Sequence, residues 1–290
     1  MAEMADFEAS TPRRRRLGRE LRRLRETTDM TGEEAARRLS WSAAKLSRIE
    51  TARTLPSEDD ITALLNLYGV DGVVLGEILK IRKDATQKGW WEKHGAALDQ
   101  GFVAYMGLEA EAREMRNWEP HVVPGLLQTE DYARALLGNV IQPINQIPPV
   151  WLHSRVEARM QRQQRLLYTE EPLTLLAIFD EAVLRRMVGD PAVMRRQLQH
   201  MDDISEKENV ELRIITQSTQ LPMTTGPFVH FKFPDVTDIV CLEDLTGTRF
   251  IEDPEAVFVY ERAFDYLMKV ALSEPTSRRF IRDTMAYWQA

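Results

Sequence analysis

The sequence contains a single cysteine, Cys241, among its 290 residues. One thiol excludes an internal disulfide and a cysteine-rich zinc site. No apolar run approaches the roughly 20 residues that a membrane-spanning helix needs. The first ten residues are polar and acidic, unlike a secretory signal. We therefore expect a cytoplasmic protein with no membrane partner.

Sequence motifs of common enzymes are also missing. The chain has no G-x-x-x-x-G-K-[ST], G-x-G-x-x-G, H-E-x-x-H or G-x-S-x-G motif, and its five histidines are scattered without ligand spacing. Asp180 and Glu181 could form a carboxylate pair for acid–base chemistry. They lie where a strand gives way to a helix, which favours helix capping instead. We therefore expect that the protein is not an enzyme and that it has no catalytic residue, metal or cofactor.

The formal net charge of −7 conceals an uneven distribution. Residues 11–56 contain 13 basic and 6 acidic side chains, a balance of +7, whereas residues 57–290 carry −11. A short basic block attached to a long acidic body indicates that a polyanion is a partner of the basic block alone.

The basic block has the pattern of short helices. Leucines at 17, 21 and 24 predict a first helix over about 13–28. Thr31 and Ser42 are placed to cap a second and a third helix, and Ser57 a fourth that ends at Gly69. A fifth covers about 71–83. Two short helices joined by a tight turn are typical of the helix-turn-helix motif.

The residues of this region resemble a known family. TGEEAARRL at 31–39, SWSAAKLSRIE at 40–50 and RTLP at 53–56 are similar to the Xre-type (lambda-repressor-like) DNA-binding domain. The resemblance implies that the third helix enters the major groove of DNA with its N-terminal residues against base edges. Relatives often carry glutamine at Gly32 and in the third helix, so this chain has fewer hydrogen-bonding side chains there.

The resemblance and the charge pattern together give a set of candidate DNA contacts. Lys45 and Arg48 can reach guanine or phosphate, and Ala43 and Ala44 can make only apolar contacts, for instance with thymine methyl groups. The four arginines at 13–16 lie at the N-terminus of their helix, where the helix dipole disfavours positive charge. They therefore form either a phosphate-binding element or a solvated arm. The complete set is Arg13, Arg14, Arg16, Thr31, Ser42, Ala43, Ala44, Lys45, Ser47, Arg48 and Arg53.

The acidic body mixes helical and strand patterns. Apolar and β-branched runs predict strands at 173–179, 210–216, 227–233 and 238–243. Helices are predicted at 102–118, 150–167 and 180–188, and Asp190-Pro191 and Asp253-Pro254 each start a further one. The fold class we expect is an all-α helix-turn-helix domain of about five helices followed by a mixed α/β (α+β) domain.

A second resemblance covers most of 101–283. It rests on four ordered motifs, VPGLLQTEDYAR at 123–134, RVEARMQRQ at 155–163, FDEAVLRRMVG at 179–189 and GPF at 226–228. They are similar to a domain of unknown function that follows an Xre-type domain in regulators of filamentous bacteria. The resemblance implies, for some members, an antitoxin-like role with a small partner protein encoded by an adjacent gene.

Four arginines recur along one side of the helix predicted at 150–167. They are Arg155, Arg159, Arg162 and Arg165. The spacing permits a docking face for an acidic partner or a metabolite carboxylate, and it equally permits a solvated face with internal ion pairs.

Three domain-level predictions follow. Residues 11–83 form the DNA-binding domain, 84–100 a linker, and 101–290 a sensing or partner-binding domain.

We expect a transcriptional regulator that binds a double-stranded DNA operator as a homodimer, because one recognition helix reads few bases. The alternatives are an antitoxin-like module that binds a small protein and a repressor that responds to a small-molecule effector. No ligand-binding residue is assigned.

Overall fold

The computed structural model describes residues 12–70, 72–86, 89–141, 148–221, 226–234, 236–244 and 247–288. The predicted domain boundary at residue 11 lies outside them. The chain divides into two compact units, Met1–Glu92 and Lys93–Ala290.

The first unit consists of five helices around one apolar core. They are α1 (Pro12–Glu26), α2 (Gly32–Arg38), α3 (Ala43–Glu50), α4 (Glu58–Leu67) and α5 (Gly72–Ala85). The predicted leucines of α1 are buried with Leu46 and Ile49 of α3 and Ile61 of α4. The apolar stripe of each short helix therefore faces one common core, and this arrangement compensates for their low intrinsic stability.

The region predicted as a linker contains ordered structure. Helix α5 extends to Ala85, and a 3-10 helix covers Trp90–Ala97. The boundary between the two units, at Glu92 and Lys93, falls inside this range. That 84–100 serves as a linker stays a prediction.

The second unit is built on a six-stranded mixed sheet. Its strands are β1 (Glu114–Glu119), β2 (Thr174–Asp180), β3 (Val210–Ile215), β4 (Phe228–Lys232), β5 (Ile239–Asp244) and β6 (Gly247–Ile251), in the order β3-β2-β1-β4-β5-β6. Strand β1 pairs in parallel with β2 and antiparallel with β4, for example Met115 with Leu175 and with Phe231. The sheet is therefore parallel on one side of β1 and antiparallel on the other.

Helices cover both faces of this sheet. Their bounds are α6 (Gln100–Glu111), α7 (Glu130–Ala135), α8 (Pro149–Arg162), α9 (Gln164–Leu167), α10 (Ala182–Arg185), α11 (Pro191–Ile204), α12 (Pro254–Val270) and α13 (Glu274–Met285). Short segments follow α5, β1, α7 and α13, namely 3-10 turns at Trp90–Ala97, Gly125–Leu127 and Ala286–Trp288 and a π-helical turn at Leu136–Ile141. One apolar core contains Leu198 of α11 and Ile281 of α13, and a second contains Phe264 of α12.

The expected fold class is confirmed, and several predicted elements need correction. The helix predicted at 102–118 ends at Glu111, and the residues after it form β1, the central strand. Leu108, Ala112 and Met115 continue a helical spacing, which concealed the strand. Pairing with β2 and β4 satisfies the backbone of this segment and overrides the local pattern.

Other differences concern element ends. The helix predicted at 180–188 is only α10, four residues long, and the helix predicted at 150–167 is interrupted at Gln163 between α8 and α9. Strand β6 was not predicted. Asp180 accepts a hydrogen bond from the Ala182 amide at 2.8 Å, and Glu181 pairs with Arg185 at 2.9 Å, so both carboxylates stabilise the start of α10.

Among the residues that the structure describes, no helix is both long and apolar enough to span a bilayer.

Candidate nucleic-acid interface

Helices α2 and α3 are fixed at their N-termini by the two predicted caps. The Thr31 hydroxyl accepts a hydrogen bond from the Glu34 amide at 3.1 Å, and the Ser42 hydroxyl accepts one from the Lys45 amide at 3.1 Å. Each hydroxyl supplies an acceptor in the first turn, where the amides of an α-helix have no carbonyl four residues earlier within the helix. The two helices of the motif therefore begin at defined residues.

The turn between α2 and α3 has a tight backbone. Ser40 adopts a φ of 58°, and the Trp41 amide donates to the Ala36 carbonyl at 2.8 Å. This left-handed residue and the bond back to α2 are typical of a helix C-terminus. The turn therefore sets the direction in which α3 leaves α2.

Helix α3 lies directly against α1. A Cβ atom at Gly18 would come within 2.6 Å of the Glu50 carbonyl oxygen and 2.9 Å of that of Ile49. Only a glycine permits this separation of the two backbones. The side chain of Glu50 forms hydrogen bonds with Arg25 of α1, and these bonds hold the pKa of Arg25 above its usual value. The inner side of α3 is thus fully occupied by the fold.

The outer side of α3 is composed mostly of small side chains. Ser42, Ala43, Ala44, Ser47 and Arg48 are all exposed. Among the described residues the Arg48 guanidinium makes no hydrogen bond or ion pair. A surface of small residues can approach base edges closely, and one long cation at its edge can reach guanine or phosphate.

Lys45, by contrast, is engaged within the fold. Its ammonium lies 2.6 Å from a carboxylate oxygen of Asp60 and 3.8 Å from the centre of the Trp41 ring. Asp60 also completes the capping box of α4 with Ser57. That Lys45 contacts DNA stays a prediction, and its present geometry instead joins α3 to α4.

The arginine cluster at 13–16 belongs to the first turns of α1. The Arg13 guanidinium donates to the Asp84 carbonyl at 3.3 Å, near the C-terminus of α5. The negative end of the α5 dipole therefore offsets a cation that the dipole of α1 opposes. Arg14 is half-buried, and Arg16 is exposed. The described part of this cluster is helical, and its role toward phosphate stays a prediction.

The remaining candidates lie near the α2–α3 motif. Thr31 is exposed at the start of α2, and Arg53 is exposed in the loop after α3, next to Ala52 with a φ of 58°. Their roles toward DNA stay predictions.

Two family models match the chain. One, described as Domain of unknown function (DUF5753), covers residues 102–283, and the other, described as Helix-turn-helix domain, covers residues 16–78. The chain belongs to the DUF5753 family. No curated protein and no solved structure matches it.

In this DUF5753 family member, the helix-turn-helix match contains α2 and α3 whole, together with most of α1. This is the fold of DNA-binding regulators, and it includes the exposed face of α3 described above.

The sequence did not identify Arg22 as a candidate. This exposed residue of α1 lines a cleft of about 310 Å³ together with Thr31, Gly32, Ala43 and Ser47. Its position follows from the packing of α1 against α3, which spacing alone does not reveal. It also pairs with Glu26 at 2.8 Å, one turn away. The cleft places a cation beside the N-termini of both motif helices, and the side chains of Glu33 and Glu50 line it as well.

Proposed function

We propose that the chain is a transcriptional regulator of the Xre type that binds double-stranded DNA in a sequence-specific manner. Helix α3 enters the major groove, with Ala43, Ala44 and Ser47 against base edges and Arg48 on guanine or phosphate. The N-termini of α2 and α3, with Thr31 and Arg22, lie against the phosphate backbone.

The observation that carries this proposal is the contrast between the two sides of α3. Its inner side is held by Gly18, Leu46, Ile49 and the Arg25–Glu50 pair. Its outer side is exposed, small and contains Arg48. A rigid helix that presents a small outer face matches direct readout in the major groove.

We further propose that the regulator acts as a homodimer. One recognition helix contacts only a few base pairs, and a second helix one turn of DNA away doubles the contacts. The second unit, residues 93–290, holds 21 basic and 29 acidic side chains. This net charge of −8 is repelled by DNA, which supports a regulatory role for the unit.

The experiment is a selection of bound duplexes from a random library by the full chain. We expect enrichment of one inverted repeat with half-sites spaced by about 10 base pairs or a multiple. The affinity for that duplex should fall linearly on a log–log plot against salt concentration, because phosphate contacts release counterions. Recovery of no enriched sequence would contradict the proposal.

A second candidate function is the binding of a small partner protein, as in an antitoxin-like pair. One observation favours it. Helix α12 buries Val257 and Phe264, while Phe258, Val259 and Tyr266 on its other side are exposed. Exposed apolar residues on one helix face are typical of a protein-binding surface.

The adjacent-gene product, co-expressed with the full chain, tests this second function. We expect co-purification that Phe258→Ser and Tyr266→Ser together abolish, with DNA binding unchanged. Co-purification that both substitutions leave intact would exclude this face.

A further inference from the structure

The four arginines along α8 and α9 differ in whether they have hydrogen-bond partners within the second unit. Arg155 donates to the Ala97 carbonyl at 2.8 Å, Arg162 pairs with Glu109, and Arg165 donates to the Ala110 and Ala112 carbonyls at 3.4 Å. Among the described residues, Arg159 has neither a hydrogen bond nor an ion pair. Three of the four positions are thereby explained by the structure of the unit, and Arg159 is not.

The surroundings of Arg159 make a missing partner costly. Its Nε atom is buried, and its guanidinium lies 5.8 Å from the centre of the Phe102 ring. Burial, with the nearby Arg162 charge, lowers the pKa of Arg159 to about 10, so the group remains charged near neutral pH. A desolvated cation with no hydrogen-bonded anion destabilises the fold around it, and the Glu243 charge, which raises the pKa of Arg159, offsets only part of the effect of burial.

Arg159 lines a cavity of about 300 Å³ in the second unit. Its walls include the apolar side chains of Phe102, Val122 and Phe228. Gln128 also lines it and is 2% exposed. The Gln128 amide nitrogen donates to the Val123 carbonyl at 2.7 Å, while its oxygen is buried without a donor among the described residues. The cavity is thus lined by a cation and a buried acceptor that make no hydrogen bond among the described residues, and also by the exposed carboxylate of Glu243.

We propose that this cavity binds a small organic monocarboxylate that has an apolar body and one hydrogen-bond donor. The carboxylate pairs with Arg159, the donor bonds to the Gln128 oxygen, and the body fills the space between Phe102 and Phe228. A mostly apolar pocket of this size with a few convergent polar groups is typical of small-molecule sites.

The charges in the cavity narrow the class of ligand. Arg162 is already neutralised by Glu109 through bonds of 2.7 and 2.5 Å, so Arg159 is the cation that remains for a ligand among the described lining residues. Glu119 and Glu243 also line the cavity. Because the Glu243 carboxylate, and Glu119 when it is ionised, repel a multiply charged anion more strongly than a singly charged one, nucleotides and polyphosphates are disfavoured relative to a monocarboxylate.

Three aromatic probes with the same carbon skeleton test the proposal on the full chain. Phenyllactate carries a carboxylate and a hydroxyl donor, 3-phenylpropanoate only the carboxylate, and 3-phenylpropanamide no charge. By calorimetric titration we expect phenyllactate to bind more tightly than 3-phenylpropanoate, and 3-phenylpropanamide to bind at least about tenfold more weakly. Failure of both carboxylates to bind at millimolar concentration would overturn the proposal.

Two variants place the binding at Arg159. Arg159→Gln should weaken phenyllactate binding about tenfold or more, whereas Arg196→Gln, which removes an exposed arginine of the same unit, should leave it unchanged. Equal affinity of the Arg159→Gln variant would overturn the assignment. Neither experiment contains DNA, so its outcome is independent of the proposed DNA binding.

Thermal unfolding without ligand distinguishes a ligand-binding role of Arg159 from a structural role. Arg159→Met removes an unpaired buried charge and keeps an apolar side chain against Phe102. We expect its melting temperature to equal or exceed that of the wild type. A clear decrease would show that Arg159 is required by the fold itself and would overturn the proposal.

Discussion

The Arg25 guanidinium and the Glu50 carboxylate form a two-bond ion pair between α1 and α3. Arg25 Nε lies 2.7 Å from one carboxylate oxygen and Nη2 lies 3.0 Å from the other, and both side chains are 9% exposed. Arg25 also donates to the Met30 carbonyl at 2.7 Å, just before α2. One arginine therefore ties α1 to both helices of the DNA-binding motif.

The first prediction concerns this pair. Glu50→Gln leaves the Arg25 charge nearly buried without an anion, and we expect a loss of about 2–3 kcal/mol in the free energy of unfolding of the first unit. Hydrogen exchange of α1 and α3 in the full chain measures this loss locally. Glu26→Gln is the control, because Glu26 lies 3.8 Å from the same arginine but is exposed. Equal effects of the two substitutions would contradict the role assigned to Glu50.

Two glycines of the first unit give a second, paired prediction. Gly18→Ala places a methyl group against the carbonyls of α3, and we expect a loss of about 1–3 kcal/mol. At Gly32 a Cβ meets nothing within 4 Å, so Gly32→Ala should stabilise α2 by about 0.5 kcal/mol. Urea unfolding monitored by circular dichroism measures both. A stabilising Gly18→Ala would show that α1 and α3 are further apart than described.

These residues show which features of the first unit can be predicted from the sequence. The caps at Thr31, Ser42 and Ser57 were predicted because capping depends on residues three positions apart. The close contact at Gly18 and the Arg25–Glu50 bonds join residues 25 or more positions apart, and no local pattern indicates them. Lys45 illustrates the same limit, since its partner Asp60 belongs to another helix.

The second unit shows this limit for strands. Strand β1 was predicted as helix because its apolar residues continue the spacing of α6, and only the neighbours β2 and β4 make it a strand. For the four arginines of α8 and α9, the sequence permitted two interpretations, a docking face or a solvated face with internal ion pairs. The structure gives internal partners to Arg155, Arg162 and Arg165, and it distinguishes Arg159 by the lack of a hydrogen bond or ion pair among the described residues, which spacing does not encode.

A third prediction concerns pH. Burial raises the pKa of Glu119 to about 7, and the nearby Glu243 charge adds to this, while the His121 and Val122 amides oppose it as donors. Because the folded pKa lies above the ordinary value of 4.5, the folded state binds the proton more tightly. Stability from this group is fully present below about pH 4.5 and is lost as the pH rises through 7.

Glu119→Gln removes that loss. We compare the unfolding free energy of the variant with that of the wild type at each pH. We expect this difference to be about 1–2 kcal/mol more favourable to the variant at pH 8 than at pH 5. The Gln oxygen can still accept from the His121 amide, which lies 3.1 Å from the Glu119 carboxylate. Tyr132, which also interacts with Glu119, stays protonated in this range because burial raises its pKa to about 12. Glu130→Gln, an exposed control, should show no such pH dependence, and a pH-independent Glu119→Gln effect would contradict the burial of this carboxylate.

The proposed DNA binding depends on the outer face of α3. The most direct measurement is the affinity of Arg48→Ala for the DNA duplex selected by the wild-type chain, with Arg196→Ala as an equally charged control. We predict that Arg48→Ala weakens binding about tenfold while circular dichroism and the protection of α3 amides stay unchanged, and that the control binds as the wild type does. Unchanged affinity of Arg48→Ala, in a variant that remains folded, would contradict the assignment of α3 as the recognition helix.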